Sequence, residues 1–237
     1  WLGRNVRAHK QAGYAIVTLT LKQIGTPPGD VTAEQLDQIA QLSDDYSFGE
    51  LRSTHQQNLV LPDVEQTELF GLWQKLKALG LATPTLGLLT DMICCPGGDF
   101  CALANAKSIP VAEAIQARFE DVDYQHDLGE IDLNISGCMN ACGHHHIGHI
   151  GVLGVDKKGE EFYQVSLGGN SGGNAGDASA SIGKILGPSF ARADMPDVIA
   201  KVLDFYVAQR IDGESFLEAY RRIGHDSFKE AVYGKAA

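Results

Sequence analysis

Five cysteines, Cys94, Cys95, Cys101, Cys138 and Cys142, are the residues of this sequence best suited to do chemistry. They form two tight groups, whereas structural free cysteines are usually scattered singly through apolar segments. An odd count, with no basic-then-apolar leader, fits a reducing compartment such as the cytoplasm and argues against a disulfide framework. Cys95 and Cys101 have five residues between them, and Cys138 and Cys142 have three. Four thiolates on two loops can converge on one metal centre. A structural zinc ion prefers pairs separated by about two to four residues, which suits the second pair better than the first. An iron–sulfur cube takes four thiolates at wider, irregular spacing. Pro96, Gly97, Gly98, Gly137 and Gly143 flank these ligands and let backbone amides turn toward sulfur. Spacing favours the cube and leaves zinc and inert buried thiols open. Cys94, a fifth thiol, is expected to be a small buried hydrophobe. His144, His145, His146 and His149 follow the last cysteine. No nearby carboxylate is evident to orient them, so they are expected to pack or hydrogen-bond beside the site rather than hold a second metal.

These groups need elements to position them. Tyr14 to Leu21 is apolar and β-branched and reads as a buried strand. Thr32 to Gln35 is a capping-box pattern, followed by Leu36, Ile39 and Leu42 at helical spacing. Residues 50–61 read as extended, closed by Pro62 and Asp63. Leu69, Leu72, Trp73, Leu76 and Leu79 form a second helical stripe, stopped at Gly80. Strand, helix, strand, helix before Pro84 predicts a small ferredoxin-like module over 1–84. Residues 84–101 read as loop and carry the first cysteine group. Ser108-Ile-Pro-Val111 opens a helix with Val111, Ile115 and Phe119 on one face. Ile131 to Ser136 alternates apolar and polar residues, as a half-buried strand should, and leads into Cys138. Residues 149–155 and 161–167 predict two strands joined at Lys157-Lys158-Gly159. Gly168 to Gly176 has no apolar period and is either a surface loop or a backbone that closely approaches a large ligand. Asp194 is expected to cap a helix holding Val198, Ile199, Val202, Leu203 and Phe205. A shorter helix follows, with Phe216, Leu217, Tyr220 and Ile223, ending at Gly224.

Cys95-Pro-Gly-Gly-Asp-Phe-Cys101, together with Ser136-Gly-Cys-Met-Asn-Ala-Cys142, resembles the paired motif of the sirohaem-dependent sulfite and nitrite reductases. Arg52-Ser-Thr-His-Gln-Gln-Asn-Leu59 resembles that family's Arg-x-Thr-x-x-Gln-Asn-Leu strand, and Leu167-Gly-Gly-Asn170 its Gly-rich strand end. His9 to Thr18 is similar to the start of the family's second ferredoxin-like unit. The likeness is closest to the bacterial assimilatory sulfite reductase haemoprotein. It implies an α/β (α+β) fold, a ferredoxin-like unit followed by a sirohaem- and [4Fe-4S]-binding domain over 85–237. It implies that Cys95, Cys101, Cys138 and Cys142 ligate a [4Fe-4S] cluster and that Cys142 also ligates sirohaem iron. Asn140, Gln57, Asn58 and Arg52 become candidates for polar contacts to the macrocycle's carboxylates. The implied reaction is six-electron reduction of sulfite to sulfide, with nitrite to ammonia or simple electron transfer as alternatives. The implied electron donor is a flavoprotein or a ferredoxin.

Charge limits the partners. Nineteen Lys and Arg against 30 Asp and Glu leave a net charge of -11, which opposes a nucleic-acid footprint and binding to anionic lipid. No run approaches the roughly 20 apolar residues of a membrane span. The same balance is poorly suited to binding an octacarboxylate and an anionic substrate unaided, because anion sites concentrate Arg and Lys. Family members are about double this length, in two pseudo-repeated halves, and this chain resembles the second. With a first residue of Trp1 rather than Met, it is expected to be a piece that works with a missing N-terminal half of the same polypeptide.

Overall fold

The computed structural model describes residues 1–172 and 179–234, and the chain divides into two compact units, Trp1–Gly87 and Leu88–Ala237.

The first unit contains α1 (Leu2–Asn5), β1 (Val6–Ala8), β2 (Tyr14–Leu19), α2 (Ala33–Tyr46), β3 (Arg52–Ser53), β4 (Leu59–Glu65) and α3 (Leu69–Ala78). Its strands form an antiparallel sheet in the order β1-β2-β4-β3. Val17, Leu19, Leu61 and Val64 from the sheet meet Ile39 and Leu42 of α2 and Leu72 and Leu76 of α3 in one core. Each such side chain contributes about 1.5–3 kcal/mol on burial. The capping box forms as the sequence predicts. Thr32 Oγ1 accepts from Gln35 N at 3.1 Å, and Gln35 Oε1 accepts from Thr32 N at 2.9 Å. Leu36, expected on the buried stripe, is 47% exposed instead. The run expected to be extended over 50–61 is instead a hairpin, with β3 and β4 paired antiparallel about a turn at 54–57, and it does not close at Pro62, because β4 continues to Glu65. Ala15 pairs with Val64 and Val17 with Leu61, so β4 carries one extra residue at Pro62–Asp63. A bulge of this kind tolerates a proline that lacks the ladder N–H. The N–H of Asp63 donates to Ser47 Oγ at 3.1 Å.

The second unit contains β5 (Ile93–Cys94), α4 (Ile109–Arg118), α5 (Val122–Leu128), β6 (Leu133–Ser136), β7 (Ile150–Lys157), β8 (Glu160–Leu167), β9 (Lys184–Ile185), β10 (Phe190–Ala191), α6 (Met195–Gln209), α7 (Phe216–Ile223) and α8 (His225–Tyr233). The sheet order is β10-β8-β7-β6-β5, with β9 also paired to β8. β5, β6 and β7 run parallel, and β8 returns antiparallel to β7. Lys158 at φ 59° and Gly159 at φ 85° make the tight hairpin between β7 and β8. Ile135, Val152 and Val165 of the sheet pack in one core with Val111 and Ile115 of α4, Ile199 and Val202 of α6, Phe216 and Phe228.

Three sequence expectations need correction in this unit. Residues 93–94 are not loop but the edge strand β5. β6 is not half-buried: all four of its residues are buried, because it is flanked by β5 and β7 and covered on both faces. Asp194 stands at the N-cap of α6 without a side-chain cap bond. Its backbone is already helical, at φ -83° and ψ -17°, whereas a capping side chain needs an extended backbone. The Gly168–Gly176 stretch lies partly outside the described residues. Where it is described, the close approach is to the protein itself: a Cβ on Gly168 would stand 2.1 Å from the Tyr220 ring. Among the described residues, no helix is long and apolar enough to cross a membrane.

Candidate functional site

Parallel pairing is what brings the two cysteine groups to one edge. Cys94 of β5 lies opposite Ile135 of β6, so both strands deliver their following loops at the same end of the sheet. Ligands of open α/β sheets bind outside the carboxyl ends of parallel strands. Cys95 is the first residue beyond β5, and its N–H donates to Ile135 O at 3.0 Å. The first loop turns through a short 3-10 helix, Gly97–Asp99, and Cys101 N donates to Gly97 O at 2.9 Å. Its return limb is joined to the second loop, since Asn105 N and Ala106 N both donate to Gly137 O, at 2.9 and 3.0 Å. Glycine is required at that crossing: a Cβ on Gly137 would stand 2.7 Å from both Ala106 O and Gly97 Cα.

The second loop doubles back on β6. Ser136 Oγ accepts from Gly143 N at 3.2 Å, and Asn134 Nδ2 donates to His144 O at 3.0 Å. The polar half of the β6 alternation therefore holds the loop that carries Cys138 and Cys142 rather than facing water. Ala141 at φ 56° and His144 at φ 54° are left-handed without being glycine, a costly backbone that persists where surrounding structure enforces it. They close consecutive turns, with Ala141 N donating to Cys138 O at 3.1 Å and His144 N to Ala141 O at 2.7 Å.

All five thiols are free. Cys95 and Cys138 are buried, Cys101 is half-buried and Cys142 is exposed. Cys94 is buried in the core of the second unit, and its Sγ lies 3.3 Å from Cys95 O. Cys95 Sγ accepts from Gly137 N at 3.0 Å and lies 3.5 Å from Ser108 Oγ. Among the described residues, no three His, Cys, Asp or Glu side chains are grouped closely enough to chelate one ion. Four thiols on two interlocked loops, graded from buried to exposed and with a backbone amide aimed at one sulfur, fit a cube. Its irons occupy separate corners and its potential is set by such hydrogen bonds. Asn140 is exposed between the second pair. Phe100, Leu103 and Met139 stand out from the same loops at 80%, 73% and 84% exposure, an apolar rim suited to a large ligand or a partner surface.

His145 and His146 lie in the short 3-10 helix, His145–Ile147, that follows the second loop. His145 is buried, and burial, with His146 beside it, holds its pKa down at about 4. The two rings approach to 3.2 Å between His145 Nε2 and His146 Nδ1. His149 does have a carboxylate nearby, contrary to expectation. Asp132 N donates to His149 Nδ1 at 3.2 Å, and the Asp132 carboxylate lies 3.8 Å from Nε2. Seventeen residues separate the pair, and only the parallel pairing of β6 with β7 brings them together. Sequence reasoning also missed Ser108 and Tyr163. Tyr163 is fully buried, and its hydroxyl donates to Lys107 O at 2.6 Å, which fixes the end of the first loop to β8. Nothing in the spacing of either residue signals this.

Three candidates lie in the first unit. Arg52 is exposed and paired with Glu50, Nε to Oε1 at 2.6 Å. Gln57 is half-buried at φ 57°, and its carbonyl accepts from the buried Lys22 Nζ at 3.3 Å. Asn58 is buried, and its Oδ1 accepts from Leu21 N at 2.9 Å, so this side chain braces the segment that follows β2.

The first unit is thus a ferredoxin-like module, and the second presents four cysteines on crossed loops at the end of parallel strands. Residues 88–237 match the nitrite and sulphite reductase 4Fe-4S domain, and residues 9–79 match the nitrite/sulfite reductase ferredoxin-like half domain. The chain belongs to this family. It is 29% identical over 209 residues to a chloroplastic ferredoxin–nitrite reductase of Arabidopsis thaliana, covering 84% of this chain and 33% of that one. It is 31% identical over 220 residues to a ferredoxin-dependent sulfite reductase of Mycobacterium tuberculosis, covering 88% of this chain and 39% of that one. The structure of the Mycobacterium tuberculosis NirA protein superposes with a TM-score of 0.76 at 28% identity, covering 95% of this chain and 41% of that one. A dissimilatory sulfite reductase shares the fold, with a TM-score of 0.72 at 14% identity over 94% of this chain and 70% of that one. The chain thus spans only about a third of the length of the curated relatives it matches.

Proposed function

We propose that this chain is the cofactor-ligating part of an assimilatory reductase that converts sulfite to sulfide, with nitrite to ammonia as the second reading. The observation that carries this is the crossing at Gly137, where the two cysteine loops are bonded together and one sulfur receives an amide. Cys95, Cys101, Cys138 and Cys142 hold the [4Fe-4S] cluster, and Cys142, the exposed thiol, also ligates the iron of sirohaem. Bound together, these groups supply the electron reservoir and the substrate-binding iron that a six-electron reduction needs. The protein's own work is positioning. Gly137 N–H stabilises thiolate charge on Cys95, the left-handed Ala141 turns Cys142 outward, and Phe100, Leu103 and Met139 offer apolar surface beside it.

Asn140, Arg52 and Gln57 are the polar contacts proposed for the macrocycle's carboxylates. Asn58, proposed with them, has its Oδ1 engaged by Leu21 N, so it contributes by fixing the segment that carries Arg52 and Gln57. We place the division between the two functional parts at residues 84–85, a ferredoxin-like half-domain before it and the cofactor domain after it. Nitrite remains the second reading because both ferredoxin–nitrite and ferredoxin-dependent sulfite reductases are among the relatives. Those names support ferredoxin as the electron donor, with a flavoprotein as the other choice. The activity is assigned to a longer polypeptide that includes an N-terminal half, because the relatives are about three times the matched length and anion-binding cations are not concentrated here. The clustered free thiols support a reducing compartment, the cytoplasm.

The test is anaerobic loading with iron, sulfide and sirohaem, followed by visible absorption and an assay with reduced methyl viologen. A chlorin-like band in the red beside a Soret band is expected, and Cys142→Ser should shift or remove it. An unchanged spectrum in Cys142→Ser would remove that residue from the assignment. A cluster without tetrapyrrole would favour an electron-transfer module. Sulfide made from sulfite by the 237 residues alone would overturn the need for further chain.

A further inference from the structure

Ser108 occupies the N-cap of α4, yet its side chain makes no cap hydrogen bond. A serine there usually accepts from the second or third helical N–H and so stabilises the helix. Its backbone, at φ -93° and ψ -39°, is helical rather than extended and turns the hydroxyl away from those amides. The residue is fully buried, and its hydroxyl faces Cys95 Sγ at 3.5 Å. A buried hydroxyl needs a partner, and the sulfur is the one at hand. Two glycines keep this place open: a Cβ on Gly97 would stand 2.5 Å from Ser108 Oγ, and one on Gly137 would stand 3.0 Å from it. The glycines that cross the loops therefore also leave room for this hydroxyl.

We propose that Ser108 is a positioning residue that donates its hydroxyl hydrogen to Cys95 Sγ and, with Gly137 N–H, sets the reduction potential of the iron–sulfur cluster. The inference rests on the assignment of Cys95 as a cluster ligand. A metal-bound thiolate carries no proton, so between these two atoms only the serine can donate. The acceptor has one amide at 3.0 Å and one hydroxyl at 3.5 Å, and hydrogen bonds to an ionised acceptor are the stronger kind. Reduction adds an electron that is shared over the irons and their sulfurs. The two donors then stabilise the reduced state more than the oxidised one, and they raise the potential.

The experiment compares wild type, Ser108→Ala and Ser108→Thr as the full chain, reconstituted anaerobically with ferrous iron and sulfide. Iron and acid-labile sulfide are counted first, and the potential is then followed by electron paramagnetic resonance. Ser108→Ala should keep its cluster and shift to a lower potential, with the oxidised-to-reduced ratio at fixed potential changing several-fold to tenfold. A tenfold change is about 59 mV for one electron. The coupling of one exchangeable proton near the cluster should disappear with it, and Ser108→Thr should restore both. An unchanged potential and proton coupling in Ser108→Ala would overturn the proposal while leaving the cluster assignment intact. Loss of the cluster in Ser108→Ala but not in Ser108→Thr would support the hydroxyl, and equal loss in both would reduce it to packing. A wild-type chain that takes up no cluster would defeat the ligand assignment itself.

Discussion

At the scale of residues, the four candidate ligands are unequal. Cys95 and Cys138 sit among buried backbone, whereas Cys142 is exposed at the end of a loop bent by Ala141 in the left-handed region. A thiol meant only for packing would be buried, as Cys94 is. The types and spacing of these cysteines were legible in the sequence because thiolate ligation needs particular atoms at particular intervals. The partners of those atoms were not. Ser108 looked like an ordinary helix opener, and Asp132 reaches His149 only through strand pairing.

His145 yields a prediction at the same scale. Its folded pKa of about 4 lies below the ordinary value of 6.5, because burial disfavours the charged ring and His146 adds repulsion. The unfolded chain therefore binds more protons between those values. The contribution of His145 to stability is full above pH 6.5 and is lost as pH falls toward 4. Urea titrations of the apo chain should show stability falling from pH 7 to 5, with a shallower slope in His145→Gln. Equal slopes in the two proteins would mean that this ring does not titrate on unfolding.

At the scale of elements, local chemistry was read well where it is complete within a few residues. The Thr32 capping box, the helical proline after Ser108 and the Lys158-Gly159 hairpin all formed as expected. The failures arose where a distant segment decides. Pro62 stays inside β4 only because β2 accepts a bulge opposite Ile16, and β6 is buried on both faces only because the helices cover Leu133 and Ile135 while the second cysteine loop folds back over Asn134 and Ser136. Paired caps test how far this local reading extends to energetics. Thr32→Ala should destabilise the first unit by about 1 kcal/mol, the usual worth of a formed cap. Asp194→Ala should cost a few tenths at most, because no side-chain cap exists to lose. Thermal or urea unfolding of the two variants measures both, and similar losses would contradict the distinction.

At the scale of the whole molecule, the charge balance and the site point the same way. Acidic residues outnumber basic ones by 30 to 19. Several cations of the second unit are committed to carboxylates: Lys107 to Asp99, Arg192 to Glu161, Arg210 to Asp127 and Arg222 to Glu214. Such a surface is consistent with the proposed role of holding and positioning a redox centre, and is poor in cations for recognising an anion. Cys95, Cys101, Cys138 and Cys142 are proposed to hold one cluster together. The most direct measurement is iron and acid-labile sulfide per chain after anaerobic reconstitution, in wild type and in Cys138→Ser. About four of each in the wild type, falling sharply in the variant, is the expected result for a four-thiolate cube. Zinc in place of iron, or a Cys138→Ser protein that binds as much iron and sulfide as wild type, would contradict it.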